Sequence, residues 1–283
     1  MTGKRLTRAD GWLAAGLVFL ALAIGLGLMR DFGLDDSYIT YRYARNVARG
    51  WGLVYNQGEA VLSTTAPLYA LLLAALSRII PDLPALGTLV GAQSVGVGGG
   101  VLALLLPRRT PLAIRAWAGL AYALASPLWL ALGLETPLWL LLALLAIGLA
   151  GSGRWTGAGL LIGLGVLTRP DALLPGMLLG IGALGTAISA RGTRSHPWRP
   201  VLSYILAAAV PILLFYGWAW LAYGSPVPAT LSAKRAQAAL GITGLGVGVD
   251  TPGGLGLVAG SLLRQSPLYA LFPALALIGP GRA

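Results

Sequence analysis

An acidic pair followed by a basic helical face is the first place in this sequence where chemistry could occur. Asp35 and Asp36 open the stretch DDSYITYRYARNVARG, which predicts a helix with Asp35 or Asp36 at its N-cap and Gly50 as its stop. The residues that recur at helical spacing along one face of it are Tyr38, Arg42, Arg45 and Arg49. A carboxylate beside cationic and aromatic side chains suits an anionic, phosphorylated ligand, because arginine binds phosphate through two hydrogen bonds. The alternative is an N-capped amphipathic helix whose arginines contact lipid headgroups.

Further charged residues lie at the ends of apolar segments, where the cost of burying a charge makes them candidates for function. They are Glu135, Arg169, Asp171, Lys234 and Arg235. Three interpretations of Glu135 stay open: it orients an acceptor, it holds a divalent metal together with the Asp pair, or it caps the helix that starts at Thr136. Arg169 and Asp171 flank a proline, and they form either a phosphate and sugar contact or a proline-started helix with an N-terminal acid.

The elements that must position these residues are membrane helices. The chain is 57% hydrophobic and 10% charged, with a mean hydropathy of +0.78, whereas soluble domains have about 25% charged residues. The net charge of +11 does not indicate nucleic-acid binding, because the Lys and Arg residues stand in small groups between apolar runs. The sequence has no cysteine, so neither a disulfide nor a thiolate metal site is available. These features exclude a soluble domain.

Apolar runs predict an all-α, polytopic transmembrane helix bundle of about eight spans. The first run, 11 to 29, is too long for the apolar part of a signal peptide and has no small-residue cleavage site after it. The run 67 to 80 is too short to span and predicts an interfacial helix. The remaining spans are predicted at 84–106, 112–133, 137–151, 156–168, 173–190, 201–223 and 266–278.

The charge pattern orients this bundle, because cytoplasmic connectors carry an excess of Lys and Arg. With the N-terminus inside and 67 to 80 not spanning, every inside connector is basic and every acidic residue except Asp10 lies outside. The sequence thus predicts one membrane domain over 1–283. Its first extracytoplasmic loop, 30–83, holds two interfacial helices, and a second loop covers 224–264. All candidate site residues then share the outer face.

Five separated segments resemble, in the same order, the GT-C superfamily of membrane glycosyltransferases. They are DDSYITYRYARNVARGWGLVYNQGE, STTAPLYALLLAALSRI, GLETPLWLLLALLAI, LTRPDALL and YGSPVPATLSAKR. The closest branch is the bacterial one that is similar to mycobacterial arabinofuranosyltransferases, with protein O-mannosyltransferases as more distant relatives. Members of this superfamily are usually longer, so the resemblance also indicates a chain truncated at its C-terminus.

The resemblance implies an inverting transfer of a sugar from a polyprenyl-phosphate donor to a glycan, lipid or protein acceptor. The reaction would take place at the outer face of the bacterial cytoplasmic membrane. Asp36 or Asp35 would be the general base, with Asp36 preferred because the second acid abuts the helix that carries the arginines. The leaving phosphate would be stabilised by residues among Arg42, Arg45, Arg169, Lys234 and Arg235. No cofactor is implied with certainty, and a divalent metal stays an alternative.

The rival interpretation is a transporter or flippase of an anionic or lipid-linked substrate. Such proteins have internal repeats and polar residues near the bilayer midplane, whereas the charged residues of this sequence cluster at the ends of spans. The sequence therefore favours an enzyme.

Overall fold

The computed structural model describes residues 7–27, 33–192, 195–225 and 228–229, which belong to one compact unit ending at Ala229. Within these residues the fold is all helical and has no strand, so the predicted all-α class is confirmed there. The helices are α1 (Arg8–Gly27), α2 (Asp35–Ala48), α3 (Pro67–Leu76), α4 (Leu83–Leu105), α5 (Leu112–Ala123), α6 (Ser126–Leu130), α7 (Thr136–Gly151), α8 (Trp155–Thr168), α9 (Leu173–Ser189) and α10 (Arg199–Tyr223), with a 3-10 turn, Pro170–Ala172, before α9.

Four helical segments of the described part are long and apolar enough to cross a membrane: α1, α4, α10, and α9 together with the turn before it. The surface of α10 is almost entirely apolar and outward-facing, with Leu213, Leu214 and Leu221 exposed by 69%, 70% and 90%. Apolar side chains that point away from the protein in such number require a lipid environment. The protein is therefore a membrane protein. The number of about eight crossings stays a prediction, and the eighth, 266–278, lies outside the described residues.

Glycines allow the long helices to pack closely. Gly96 of α4 lies against the backbone of Val18 in α1, where an added Cβ would come within 2.6 Å of the Val18 Cα. In α8, Gly159 lies against the carbonyl of Tyr204 in α10, and Gly163 against that of Ala208. Small residues spaced by one helical turn let two backbones approach, which is how helices associate in lipid.

The bundle has two chemically different ends. At the N-terminal end, Arg115 at the start of α5 donates to the carboxylate of Asp10 at the start of α1, with 2.7 Å between Nη2 and Oδ1. Gly148 near the end of α7 packs against Leu105 at the end of α4, so the turn between α7 and α8 lies at this end too. At the opposite end, Gly133 before α7 lies against Ser37 of α2. The basic connectors and the candidate site residues are thus separated along the bundle.

One predicted span is wrong as a single helix. The run 112–133 is divided into α5 and α6, because Pro127 has no N–H to bond the carbonyl of Ala123 and its ring would clash with that carbonyl in a continuous helix. The predicted interfacial helix 67–80 is shorter, ending at Leu76, and its Tyr69, Ala70 and Leu73 are fully buried. Ten residues extend roughly 15 Å, so α3 is too short to cross a membrane.

Candidate functional site

Helix α2 starts one residue earlier than its sequence pattern suggests. Its N-cap is Leu34, whose carbonyl accepts hydrogen bonds from the backbone N–H and the hydroxyl of Ser37. The prediction that Asp35 or Asp36 caps the helix is wrong, because these two residues are the first two residues of α2. Carboxylates are favourable there because the first turn of a helix carries partial positive charge. The stop at Gly50 is confirmed, since this glycine has a φ of +79°, which side chains other than glycine rarely adopt.

The segment after α2 folds back onto it through buried polar contacts. The Asn46 side-chain amide donates to the carbonyls of Val54 and Tyr55 at 2.8 and 2.9 Å. From α10, the hydroxyl of Tyr223 donates to the carbonyl of Leu53 at 2.9 Å. These bonds satisfy the carbonyls of the buried residues Leu53 and Val54, and they fix the segment over the arginine face of α2.

A groove with a volume of about 490 Å³ results between this face and the segment. Its lining includes Asp35, Tyr38, Tyr41, Arg42, Arg45, Arg49, Trp51 and Tyr55, and we call it the α2 groove. The guanidinium of Arg42 lies 4.4 Å from the centre of the Tyr55 ring and donates through Nε to the Tyr55 carbonyl and through Nη2 to Asn56. The Arg49 guanidinium lies 5.2 Å from the ring of Trp51. Aromatic rings thus hold two of the three cations by cation–π contacts.

The α2 groove carries uncompensated positive charge. Three arginines and one carboxylate line it, and within the described part of the chain none of the arginines forms an ion pair with a carboxylate. Burial raises the pKa of Tyr41 to about 12, so its hydroxyl stays neutral at physiological pH. The groove is therefore suited to an anion that accepts several hydrogen bonds.

The two acids of the pair occupy different positions around α2. Asp35 lines the groove together with the arginines, whereas Asp36 is exposed outside it. Asp36 precedes Tyr43 by two helical turns and shares its side of the helix. Tyr43 is buried against Ala219 of α10. The sequence favours Asp36 as the base because it abuts the helix that carries the arginines. In the structure it is Asp35 that shares a groove with these arginines. Which of the two acts as the base stays a prediction.

Three further candidate residues meet around one guanidinium. Arg169 donates through Nη1 to Glu135 at 2.9 Å and to the hydroxyl of Thr136 at 3.2 Å. It also donates to a single oxygen of Asp171, from Nη2 at 2.8 Å and from Nε at 3.1 Å. We call Glu135, Arg169 and Asp171 the Arg169 cluster. Glu135 occupies the N-cap position of α7 but makes no capping hydrogen bond with its side chain. The interpretation of Glu135 as the helix cap is therefore confirmed in position, but its side chain pairs with Arg169 and does not bond the first turn.

Burial and charge oppose each other at Glu135. Burial raises the pKa of this carboxyl above its ordinary value although the neighbouring Arg169 lowers it. Arg169 is itself paired with two carboxyl groups, so the cluster has no surplus positive charge. It is better suited to the hydroxyl groups of a sugar or an acceptor than to a phosphate.

The α2 groove and the Arg169 cluster lie on neighbouring elements of the same end. Gly133, two residues before Glu135, lies against the hydroxyl of Tyr41, a residue that also lines the groove. Between them, the Tyr69 side chain is fully buried and its hydroxyl has no hydrogen-bond partner within the described residues. The pKa of Tyr69 is raised mainly by burial and further by the charge of Glu135. The structure thus places the predicted residues of α2 close to those of the two connectors.

Lys234 and Arg235, and most of the predicted loop 224–264, lie outside the described residues. Across the ranges that the structure describes, no group of three or more acidic, histidine or cysteine side chains is arranged to hold a metal ion. The predicted metal site shared by Glu135 and the Asp pair therefore finds no support there.

Comparison with protein-family models, with curated proteins and with solved structures finds no match to this chain. The similarity to the GT-C superfamily therefore stays a resemblance of motifs. The site has to be interpreted from its own geometry.

Sequence reasoning missed the second wall of the α2 groove. Trp51 and Tyr55 complete it, and Asn46 fixes them there. The available signal was the helix stop at Gly50 followed directly by aromatic residues, because a chain that reverses at such a stop brings the next residues back along the helix.

Proposed function

We propose that this protein is an inverting glycosyltransferase that moves a sugar from a polyprenyl-phosphate donor to a hydroxyl acceptor. The observation that carries the proposal is the α2 groove, which is lined by the carboxylate of Asp35 and by three arginines that have no acidic partner in the described part of the chain. This is the combination that the reaction requires: one group to accept a proton and several to stabilise a leaving phosphate.

In the proposed reaction the acceptor oxygen attacks the anomeric carbon from the face opposite to the phosphate. As the new carbon–oxygen bond forms, the bond between that carbon and the phosphate oxygen breaks, and the configuration inverts. The acceptor hydroxyl gives its proton to Asp35 or Asp36. A carboxylate at the start of α2 can take this role if it is ionised and within hydrogen-bond reach of the hydroxyl.

The polyprenyl phosphate leaves with the electrons of the broken bond, and its negative charge is stabilised by Arg42 and Arg45. Arg42 is held in place by Tyr55 and Asn56, so little reorganisation accompanies the reaction. Arg45 forms no ion pair with any described residue and is available to follow the phosphate. Ile39, which lines the groove and is 43% exposed, offers apolar surface for the first part of the prenyl chain.

The Arg169 cluster would bind the hydroxyl groups of the transferred sugar or of the acceptor. Asp171 supports this role because its side chain is 57% exposed and only one of its carboxylate oxygens accepts from Arg169. Lys234 and Arg235 lie outside the described residues, and the charge pattern of the sequence assigns them to the same side of the membrane. We place this end at the outer face of a bacterial cytoplasmic membrane, with the N-terminus inside, on the strength of the basic connectors at the N-terminal end.

The test is transfer of a radiolabelled sugar from polyprenyl-phosphate donors by the purified full chain in lipid vesicles. Asp35→Asn and Asp36→Asn remove the two candidate bases, and we expect one of them to lower transfer by about 10²-fold or more. Asp82→Asn is the matched control, because Asp82 caps α4 and asparagine caps a helix equally well.

Retention of transfer in both variants would contradict the assignment of the base. An absence of transfer with every donor, combined with movement of the intact donor across the bilayer, would support the flippase interpretation instead.

A further inference from the structure

A second basic cavity lies at the N-terminal end of the bundle. It has a volume of about 610 Å³ and lies between the turn that joins α7 to α8 and the connector that precedes α10. Its lining includes Arg154, Trp155, Thr156, His196, Arg199 and Ser203, and none of the described residues that line it is acidic. We call it the Arg154/Arg199 cavity. The mechanism proposed above does not use it.

Two long helices begin at this cavity. α8, of 14 residues, starts at Trp155, and α10, of 25 residues, starts at Arg199. Neither helix has a side chain that caps its first turn by a hydrogen bond. The first N–H groups of a helix carry partial positive charge and bind anions when no side chain occupies them. The helix starts therefore add to the charge of the two arginines.

The surroundings of the cavity combine a polar lining with apolar surface. Just before α10, the Trp198 ring is covered by Arg191, whose guanidinium lies 4.7 Å from the ring centre. One and two turns beyond the start of α10, Leu202 and Leu206 are 58% and 64% exposed. A headgroup in the cavity would thus have acyl-chain surface directly beside it.

The geometry points to a binding site for a phosphate group in the Arg154/Arg199 cavity. The two guanidinium groups bind the phosphate oxygens, the hydroxyl of Thr156 donates a further hydrogen bond, and the two helix starts complement the charge. The phosphate belongs either to the headgroup of an anionic lipid or to a free phosphate ion. This site is independent of the proposed transferase activity.

The experiment measures binding of short-chain phosphatidic acid to the purified full chain in an uncharged detergent, by calorimetry. The double variant Arg154→Gln with Arg199→Gln removes both charges, and we expect its dissociation constant to rise by about tenfold or more. Arg109→Gln is the matched control, because Arg109 is an exposed arginine in another connector at the same end. It should bind as the wild type does.

Inorganic phosphate and phosphatidylcholine identify the source of the ligand. Binding of phosphatidic acid that phosphate displaces only weakly supports a lipid headgroup, and equal binding of phosphate supports a free ion. Equal binding of phosphatidylcholine, or equal weakening in the Arg109→Gln variant, overturns the site. If the double variant does not fold, the two single variants decide, and the change of both arginines to lysine should retain binding because it retains the charge.

Discussion

Each end of the bundle has a cluster of three charged side chains joined by Arg–carboxylate ion pairs, and the two clusters differ in how deeply these side chains are buried. At the N-terminal end, the Asp10 side chain is 2% exposed and that of Arg115 is 8%, with Arg108 as a third member 3.5 Å away. In the Arg169 cluster, the side-chain exposures rise from 12% at Glu135 to 33% at Arg169 and 57% at Asp171.

In the N-terminal cluster more of the hydrogen-bonding atoms have partners than in the Arg169 cluster. Both carboxylate oxygens of Asp10 have donors, since Oδ1 accepts from Arg115 and Oδ2 from the backbone N–H of Thr7. Arg115 also donates through Nε to the carbonyl of Ala103 at the end of α4. The N-terminal cluster therefore joins α1, α4 and α5. In the Arg169 cluster, by contrast, one carboxylate oxygen of Asp171 accepts no hydrogen bond from Arg169 and can bind a ligand. An ion pair that is buried and whose hydrogen-bonding groups are all occupied stabilises the fold, whereas an exposed pair with an unoccupied oxygen is available to a ligand.

The largest effect is expected from breaking the closed cluster. Asp10→Ala leaves the buried guanidinium of Arg115 without its carboxylate and removes the acceptor for Thr7. We expect the midpoint of thermal unfolding in detergent to fall by roughly 5–10 °C, because an unpaired buried charge is strongly destabilising. Scanning fluorimetry of the purified protein measures this change.

A second variant separates the ion pair from the space that it fills. Replacing Asp10 by Leu and Arg115 by Met together should restore most of the lost stability, since a buried pair and a packed apolar pair are often equally stable. A double variant as unstable as Asp10→Ala would mean that the pair itself, and not the isolated charge, determines stability.

The next effect should be smaller, because the Arg169 cluster is more open. Arg169→Ala leaves Glu135 buried without its donor, and we expect the free energy of unfolding to fall by about 1–3 kcal/mol. Arg169→Lys retains the charge but cannot donate to both carboxylates as a planar fork, so its loss should be intermediate. A loss larger than that of Asp10→Ala, measured in the same way, would show that burial does not distinguish the two ends.

The helices could be predicted from the sequence because each apolar run has a well-defined length and ends at clear helix-stop signals. The run 173–190 corresponds to Leu173–Ser189, and 156–168 to Trp155–Thr168. The break after Ala123 was missed because the apolar composition continues across it, and Ser126 and Pro127 are its only local signal. Hydropathy records where lipid can surround the chain, and it does not record where the backbone turns.

The candidate site was predicted only as a set of residues. Charge sorting correctly brought Glu135 and Arg169 to one end, but their direct pairing depends on the angle between connectors, which no sequence period encodes. The N-terminal cluster was missed, although an arginine inside a predicted span, Arg115, should have suggested a buried partner. Thr7 and Asp10, three residues apart, also have the spacing of a reciprocal helix cap, which they form.

The open end of the Arg169 cluster can be tested by a change that should hardly affect stability. Asp171→Asn removes an exposed charge, and exposed ion pairs contribute about 0–1 kcal/mol. We expect an unchanged unfolding midpoint together with a raised KM for the acceptor or the donor in the transfer assay. A change in the midpoint as large as that of Arg169→Ala would indicate that Asp171 is structural.

The smallest effect concerns the pH dependence of stability, and it tests whether burial or the ion pair dominates at Glu135. Because burial raises the pKa of Glu135 in the folded protein, the folded state holds this proton more tightly than the unfolded state does. The contribution of Glu135 to stability is therefore present below its ordinary pKa and is lost as the pH rises through the folded pKa. Glu135→Gln has no such loss, so the unfolding midpoint of this variant minus that of the wild type should increase between about pH 4 and pH 7. A difference that decreases over this range would mean that Arg169 outweighs burial, and the two ends of the bundle would then differ less than their exposures indicate.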